Sequence, residues 1–309
     1  VSDTETTIIA LSGKKQSGKT TSVNWIVGTY MSAMNIVHGG ICVDGDGRLW
    51  VTDIFGNNDI RGVFDLSRTD SVMINFLEKE VYPYVKPYSF ADSLKQYVCM
   101  HLLGLTHEQC YGTNEQKNSP THLKWENMPG VLTPQQFREF VDGVRCPMND
   151  SKPTYALSLD PGGPKHGKWA STIDNYGIIV HTPGLMTGRE VMQYVGTNIF
   201  RKMYSKVWAE ETIKRIKAEK TLLAIITDCR FPDEVEVVKN AGGKVVRFTR
   251  APFAKIDTHD SETALDKKNF DWKKFDKVIY NNKGVDDHTD KLQQVLQNWG
   301  CLPHINIEG

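Results

Sequence analysis

This chain has no excess of charge of either sign: 37 lysines and arginines stand against 37 aspartates and glutamates. A protein that coats polymeric nucleic acid draws affinity from a basic surface, so the balance argues against that class and leaves room only for a local basic groove. No apolar run approaches the length that spans a bilayer, and the first residues lack the charged-then-apolar order of a secretion signal. The expectation is a soluble protein with no membrane role. The six cysteines, Cys42, Cys99, Cys110, Cys146, Cys229 and Cys301, form no C-x-x-C pair and show no metal-type spacing. They read as reduced thiols of a cytosolic protein. Internal repeats and low-complexity segments are missing too. What is there is the composition of an ordinary globular protein, and 309 residues suffice for one elaborated domain or two small ones.

The most informative stretch is Gly13-Lys14-Lys15-Gln16-Ser17-Gly18-Lys19-Thr20. It fits G-x-x-x-x-G-K-[ST], the phosphate-binding loop of nucleoside triphosphate enzymes. The context fits as well. Thr7 to Ser12 reads as a short buried strand, and Thr20 to Met34 as a helix with Val23, Ile26, Val27, Tyr30 and Met34 on one side. Glycines let backbone N–H groups approach an anionic phosphate, and the helix N-terminus adds partial positive charge. Lys19 is placed to reach the β- and γ-phosphates, and the Thr20 hydroxyl to ligate magnesium. Gly13, Lys15, Ser17, Gly18, Lys19, Thr20 and Thr21 are the candidate donor-side contacts.

Downstream, strands alternate with helices. Ile41–Val43 and Leu49–Val51 read as a hairpin around Asp44-Gly45-Asp46-Gly47. That turn resembles the start of a calcium loop, but Arg48 stands where an oxygen ligand is needed, so a plain turn is expected. Val85 to Phe90 is a second strand, followed by a helix from Ala91 to Leu103. Gly112 to Gly130 reads as polar loop. Thr106, Thr133 and Thr187 each open a capping-box pattern. Leu222 to Thr227 is a continuous apolar run, as a central parallel strand requires. A helix from Pro232 to Ala241, strands at Lys244–Phe248 and Val278–Tyr280, and a helix from Asp287 to Trp299 complete the chain. The pattern predicts a three-layer α/β fold of the P-loop type with a mainly parallel central sheet. It is read as one domain over 1–309. Insertions are expected at 37–85 and 145–186, and a lid-like segment at 251–265.

Several residues outside the loop could carry chemistry. Asp228 ends the apolar run, where a second magnesium-side carboxylate belongs; the same residue could instead cap the next helix. Arg230 could grip a phosphate or pair with a surface acid. Asp92 and Lys95 are three apart at a strand-to-helix junction. They suit an acid near the acceptor and a lysine near a phosphate, or an N-cap with a local ion pair. Arg189 and Gln193 share a helix face, with Gly196-Thr197 following. They could hold a monophosphate and a base edge, or be a solvated face. His259, in a polar loop after Pro252, is a lid candidate or an exposed histidine. Asn282-Lys283-Gly284-Val285-Asp286 has one residue too many for the N-K-x-D guanine motif. It reads as a loop in which Asn282 packs on the nucleotide base.

Taken in order, these segments resemble the phage deoxynucleoside monophosphate kinases, within the P-loop nucleoside monophosphate kinase group. The resemblance rests on the loop 13–21, Ser89–Lys95 with Leu103–Thr106 and Tyr111-Gly112, Gly188–Thr197, Thr227–Glu234, Asp257–His259 with Ser261-Glu262, and Ile279–Asn282. It implies transfer of the γ-phosphoryl group of ATP, with magnesium, to 2′-deoxynucleoside 5′-monophosphates. It also implies a viral origin, action in the host cytoplasm and a homodimer. By resemblance, Arg189, Gln193, Thr197 and the segment holding Phe90, Asp92 and Lys95 form the acceptor side. Asp228 and Arg230 form the catalytic centre, and His259 to Glu262 close over the acceptor. Rival readings are a kinase of hydroxymethylated bases in phage DNA, a nucleotide-hydrolysing switch or motor, and a silent nucleotide-binding module. The balanced charge and the motif order favour free nucleotides, and DNA binding is not expected.

Overall fold

A computed structural model of the chain describes residues 6–52, 61–143, 172–173, 178–252 and 260–303. Most of the expected 145–186 insertion lies outside these residues, as do Cys146 and His259. The chain gathers into two compact units, one of Val1–Ser93 with Tyr204–Gly309 and one of Leu94–Met203. Among the described residues, no helix is long and apolar enough to cross a membrane.

The first unit is built on five parallel strands: β1 (Thr7–Ser12), β2 (Val85–Tyr88), β3 (Leu223–Cys229), β4 (Lys244–Phe248) and β5 (Lys277–Ile279). They lie in the order β5-β4-β1-β3-β2. Ile9 of β1 sits beside Ile225 of β3, and Leu11 beside Val246 of β4. One face of the sheet packs on α1 (Lys19–Ala33) and α4 (Val285–Asn298). There Ile9, Leu11, Ile225 and Phe248 join Ile26 and Met31 of α1 and Leu292 and Leu296 of α4 in one core. On the other face α3 (Pro232–Asn240) lies against β1 and β4, with α2 (Val207–Glu219) beside it. Leu223, Ala224, Ile225 and Ile226 are therefore all buried, which is why that stretch reads as an unbroken apolar run. Each large aliphatic side chain so buried contributes about 2 kcal/mol. Pro87 is tolerated because β2 is an edge strand.

This order places a site. The chain leaves β1 toward β3 and β2, then crosses back to β4 and β5. The loops after β1 and β3 thus part at the carboxyl end of the sheet, the crevice in which open α/β sheets bind ligands.

Between α1 and β2 the expected hairpin, Ile41–Val43 with Leu49–Thr52, gains a third strand, Arg61–Val63. Three residues centred on a glycine are too short to show a pattern. The Asp44 carboxylate accepts from the N–H groups of Asp46 and Arg48 and from Trp50 Nε1, while Arg48 pairs with Asp44 and Asp46. The acid oxygens are spent on the turn itself, so it is a plain turn. Asn24 of α1 donates to the Gly47 carbonyl at 2.8 Å and fastens the hairpin to the first helix.

In the second unit a wide π-type helix, Leu94–Leu102, leads to short helices at His107–Tyr111 and Asn114–Lys117. Pro120–Lys124 pairs antiparallel with Leu185–Thr187. The expected loop over 112–130 is thus corrected to a helix, a strand and a turn of 3-10 helix at Trp125–Asn127. Each is too short for a hydrophobic period to register. All three capping boxes form. Thr106 with Gln109, Thr133 with Gln136, and Thr187 with Glu190 exchange side-chain and backbone hydrogen bonds. Gly188–Gln193 continues as a second π-type segment, Tyr194–Arg201.

Candidate active site

The phosphate loop joins β1 to α1 as the motif requires. Gln16 and Gly18 both adopt positive φ, 59° and 97°. A Cβ at Gly18 would also press on His288 Cε1 at 3.1 Å and Asn281 Nδ2 at 3.2 Å. At Gly13 a Cβ would meet Ser17 Oγ at 2.2 Å. The loop is therefore closed tightly over its own Ser17, which is fully buried. The first N–H groups of α1 have no carbonyl of the preceding turn to reach. Lys19 Nζ donates to the Gly13 and Lys14 carbonyls at 2.6 and 2.8 Å. Burial, then the nearby Arg230, lowers its pKa from 10.5 to about 8; Arg247 acts in the same sense, and Glu262 and Asp228 oppose it. Arg230, Arg247, Asp228 and Glu262 thus all act on the Lys19 ammonium. Thr20 is exposed and Thr21 half-buried.

Asp228, at the end of β3, accepts the Ser89 hydroxyl at 2.7 Å and the N–H groups of Phe90 and Ala91 at 2.8 and 3.4 Å. The alternative that it caps the following helix is corrected. It ties the exit of β3 to the exit of β2, and Glu234 serves α3 by accepting from the N–H groups of Arg230 and Phe231. Arg230 pairs with Glu262, whose other oxygen accepts the Lys15 N–H at 3.2 Å. Asp266 adds ion pairs to Lys14 at 2.9 Å and Arg247 at 3.8 Å. Arg247 is 5% exposed, donates to Ser12 Oγ at 2.9 Å and lies under the Trp272 ring. Glu262, in the expected lid-like segment, therefore engages Arg230 and the backbone of the phosphate loop, and Asp266, just beyond that segment, engages Lys14 of the loop.

The acceptor candidates divide between the two units. In the first, Phe90 is buried and offers its backbone N–H to Asp228. Asp92 accepts the Ser89 N–H at 3.1 Å and pairs with Arg215 at 3.3 Å. In the second, Lys95 Nζ lies 4.5 Å from the centre of the Tyr111 ring. The local ion pair weighed for Asp92 is thus made to Arg215, on a different element. Arg189 Nε and one terminal nitrogen donate to Asn118 Oδ1 and Asn114 Oδ1, both at 2.9 Å. These partners are neutral, so they orient the guanidinium without cancelling its charge. Gln193 shares the same regular helix as Arg189, and Thr197 lies in the wider segment after it. Both are half-buried.

Asn282 is exposed, and it is Asn281 that reaches the loop: its Nδ2 donates to the Ser17 carbonyl at 2.7 Å. Sequence reasoning missed Asn281, His288 and Ser22, which together back the phosphate loop. One signal was present. His288 stands on the apolar stripe of α4 with Leu292, Val295 and Leu296, where a polar residue needs a buried partner.

The family model "Deoxynucleotide monophosphate kinase" matches residues 84–292, more than half of the chain and all of it downstream of the phosphate loop. An Acanthamoeba polyphaga mimivirus protein named "Putative deoxynucleotide monophosphate kinase" is 26% identical over 210 residues, covering 68% of this chain and 82% of that protein.

Proposed function

The chain belongs to the deoxynucleotide monophosphate kinase family, a family of phosphotransferases acting on nucleotides, and from that premise we propose that it moves the γ-phosphoryl group of ATP, with magnesium, onto free 2′-deoxynucleoside 5′-monophosphates. The observation that carries the donor half is the intact loop with the Lys19 ammonium at its centre, among Arg230, Arg247, Asp228 and Glu262.

Phosphoryl transfer needs in-line positioning and charge stabilisation rather than covalent help. Lys19 exchanges two carbonyl oxygens of its own loop for the β- and γ-phosphates. The free N–H groups at the start of α1 hold the same phosphates. Arg230 supplies a guanidinium for the transferring group, exchanging its Glu262 partner for phosphate oxygens. The donor set fits magnesium: the Thr20 hydroxyl and the Asp228 carboxylate are hard oxygen ligands. Asp228 already accepts three hydrogen bonds, which suits holding the ion through water. When bound, the ion neutralises charge on the β- and γ-oxygens. In the second unit Arg189 and Lys95 are the cations proposed for the acceptor phosphate, and Gln193 and Thr197 the contacts for its base and sugar. In the first unit, Phe90 and Asp92, on the turn fixed by Asp228, and Glu262 are the proposed acceptor-side residues. The products are deoxynucleoside diphosphates for viral DNA synthesis in the host cytoplasm, made by a homodimer.

The test is transfer of labelled phosphate from ATP to each free monophosphate and, separately, to DNA carrying hydroxymethylated bases. Labelled diphosphates are expected, with no label in DNA. Lys19→Ala, folded by circular dichroism, should lose at least about a hundredfold in turnover, the usual cost of removing one transition-state charge contact. Label in DNA alone would move the activity to the modified-base kinase. ATP hydrolysis without transfer would make the chain a switch or motor.

A further inference from the structure

Behind the phosphate loop lies a closed chain of hydrogen bonds. Asn281 Nδ2 is 2.7 Å from the Ser17 carbonyl and 3.1 Å from His288 Nδ1. His288 Nε2 is 2.8 Å from Ser22 Oγ, and Ser22 Oγ is 2.9 Å from the Gly18 carbonyl. Asn281 Oδ1 accepts the Arg250 N–H at 3.1 Å, which fixes the orientation of the amide. Asn281, His288 and Ser22 are buried, at 2%, 3% and 0% exposure.

The two ends of this chain are carbonyls and can only accept. Its direction follows. The Asn281 amide spends one hydrogen on Ser17 and the other on His288 Nδ1. The imidazole proton must then sit on Nε2 and go to Ser22 Oγ, whose own hydrogen goes to Gly18. Four hydrogens make four bonds, with none left over. Only neutral imidazole permits this, because a second ring hydrogen would face the Asn281 amide hydrogens. Burial, the largest influence on His288, lowers its pKa from 6.5 to about 4 and keeps it neutral.

Ser17 and Gly18 are the two carbonyls that precede Lys19 and the first free N–H groups of α1. The Ser17 carbonyl belongs to the peptide that carries the Gly18 N–H, and the Gly18 carbonyl to the peptide that carries the Lys19 N–H. Fixing these two carbonyls fixes the direction of those two N–H groups. Gly18 at φ 97° can turn either peptide unless it is held. The Gly18 carbonyl accepts the Ser22 N–H at 2.9 Å, a bond that the Ser22 hydroxyl reinforces, and the Ser17 carbonyl is held by the Asn281 amide. We infer that Asn281, His288 and Ser22 are positioning residues that hold the Ser17–Gly18 and Gly18–Lys19 peptides with their N–H groups aimed at the donor phosphates. This deepens the donor-site reading above and rests on it. None of the three needs to touch nucleotide. They act through the loop.

The experiment uses the whole chain and compares wild type with Asn281→Asp and Ser22→Ala. The Asn281→Asp change keeps the shape of the asparagine but faces the Ser17 carbonyl with an oxygen. Ser22→Ala removes only the last link and is mild in a helix, so it serves if the first variant fails to fold. KM for ATP, KM for monophosphate, kcat and binding of a non-hydrolysable ATP analogue are measured for each. Asn281→Asp should weaken ATP and analogue binding by about tenfold or more, and Ser22→Ala by about threefold to tenfold, as the loss of a hydrogen bond that orients a ligand-binding group predicts. KM for monophosphate should stay within about twofold of wild type. Unchanged ATP binding in both variants overturns the inference, and so does an equal rise of both KM values, which is what general loosening of the fold would give. Failure of the donor-site reading looks different: wild type itself then binds no ATP analogue.

Discussion

Lowering the pH should destabilise this protein in a window set by His288. The imidazole is buried on α4 among Asn281, Ser22 and the Phe248 ring, whose centre is 4.9 Å away. Burial is the largest influence and lowers its pKa; a hydrogen bond to the Gly18 backbone and the Asp287 charge act to raise it, and Arg250 and Lys291 to lower it. In the unfolded chain the residue takes a proton near its ordinary value of 6.5, whereas in the native protein it stays neutral until about 4. Between those values the unfolded chain binds more protons, so stability falls as pH falls through the window and levels off below it. The gap from 6.5 to about 4, at about 1.4 kcal/mol per pH unit, amounts to about 3 kcal/mol. Urea unfolding of wild type and His288→Gln, at a series of pH values from about 7.5 to about 4.5, measures it. A glutamine side chain cannot titrate, so the variant starts less stable and loses less on acidification. The difference between the two curves should approach the full amount at the acid end. Most of it should appear above about pH 5, before paired carboxylates begin to titrate. Parallel curves, or an NMR signal showing His288 taking its proton above pH 6, would refute the reasoning.

Two further outcomes follow from the site. The lowered pKa of Lys19 should give kcat/KM for ATP an alkaline limb near pH 8, because the free enzyme loses the ammonium there; kcat should lack this limb, since bound phosphates hold the proton. A pH profile of both parameters checks it, and a limb near 10 would mean that the ammonium is well solvated. Arg189→Ala should raise KM for monophosphate at least about tenfold and leave KM for ATP unchanged, as loss of a charge-assisted contact made only to the acceptor predicts. Steady-state kinetics with each substrate varied settles it, and equal effects on both would return Arg189 to the solvated helix face.

Much of the first unit was legible because its signals are local. The phosphate loop is eight contiguous residues between a strand and a helix, and each capping box spans four. The apolar run at 222–227 announced β3 because both faces of that strand are covered. The second unit was harder to read. Its 112–130 stretch packs a helix, a strand and a turn into spans too short for a period to show. Residue roles set by distant partners were hardest. Asp228 was found by its place at a strand end, but its partners Ser89, Phe90 and Ala91 are more than a hundred residues away. Asn281 meets Ser17 across 264 residues, and the neighbouring Asn282 carried the same letter. Nothing in the sequence says which of two adjacent asparagines turns inward; it is Asn281 that meets Ser17, His288 and Arg250.

Glu262 and Asp266 give the phosphate loop an ionic environment of its own. Lys14, Arg230 and Arg247 are each matched to a carboxylate of the same chain, and the Lys15 N–H is matched as well. The loop therefore behaves as an ion exchanger rather than as bare positive charge. A polyphosphate that takes the loop must outcompete tethered carboxylates, so its electrostatic gain is a difference between two sets of partners. A singly charged anion has little to offer in that exchange, and a triphosphate has several charges to set against two. On the proposed donor reading, selectivity for a triphosphate over singly charged anions would rest on the protein's own acids as much as on its lysines.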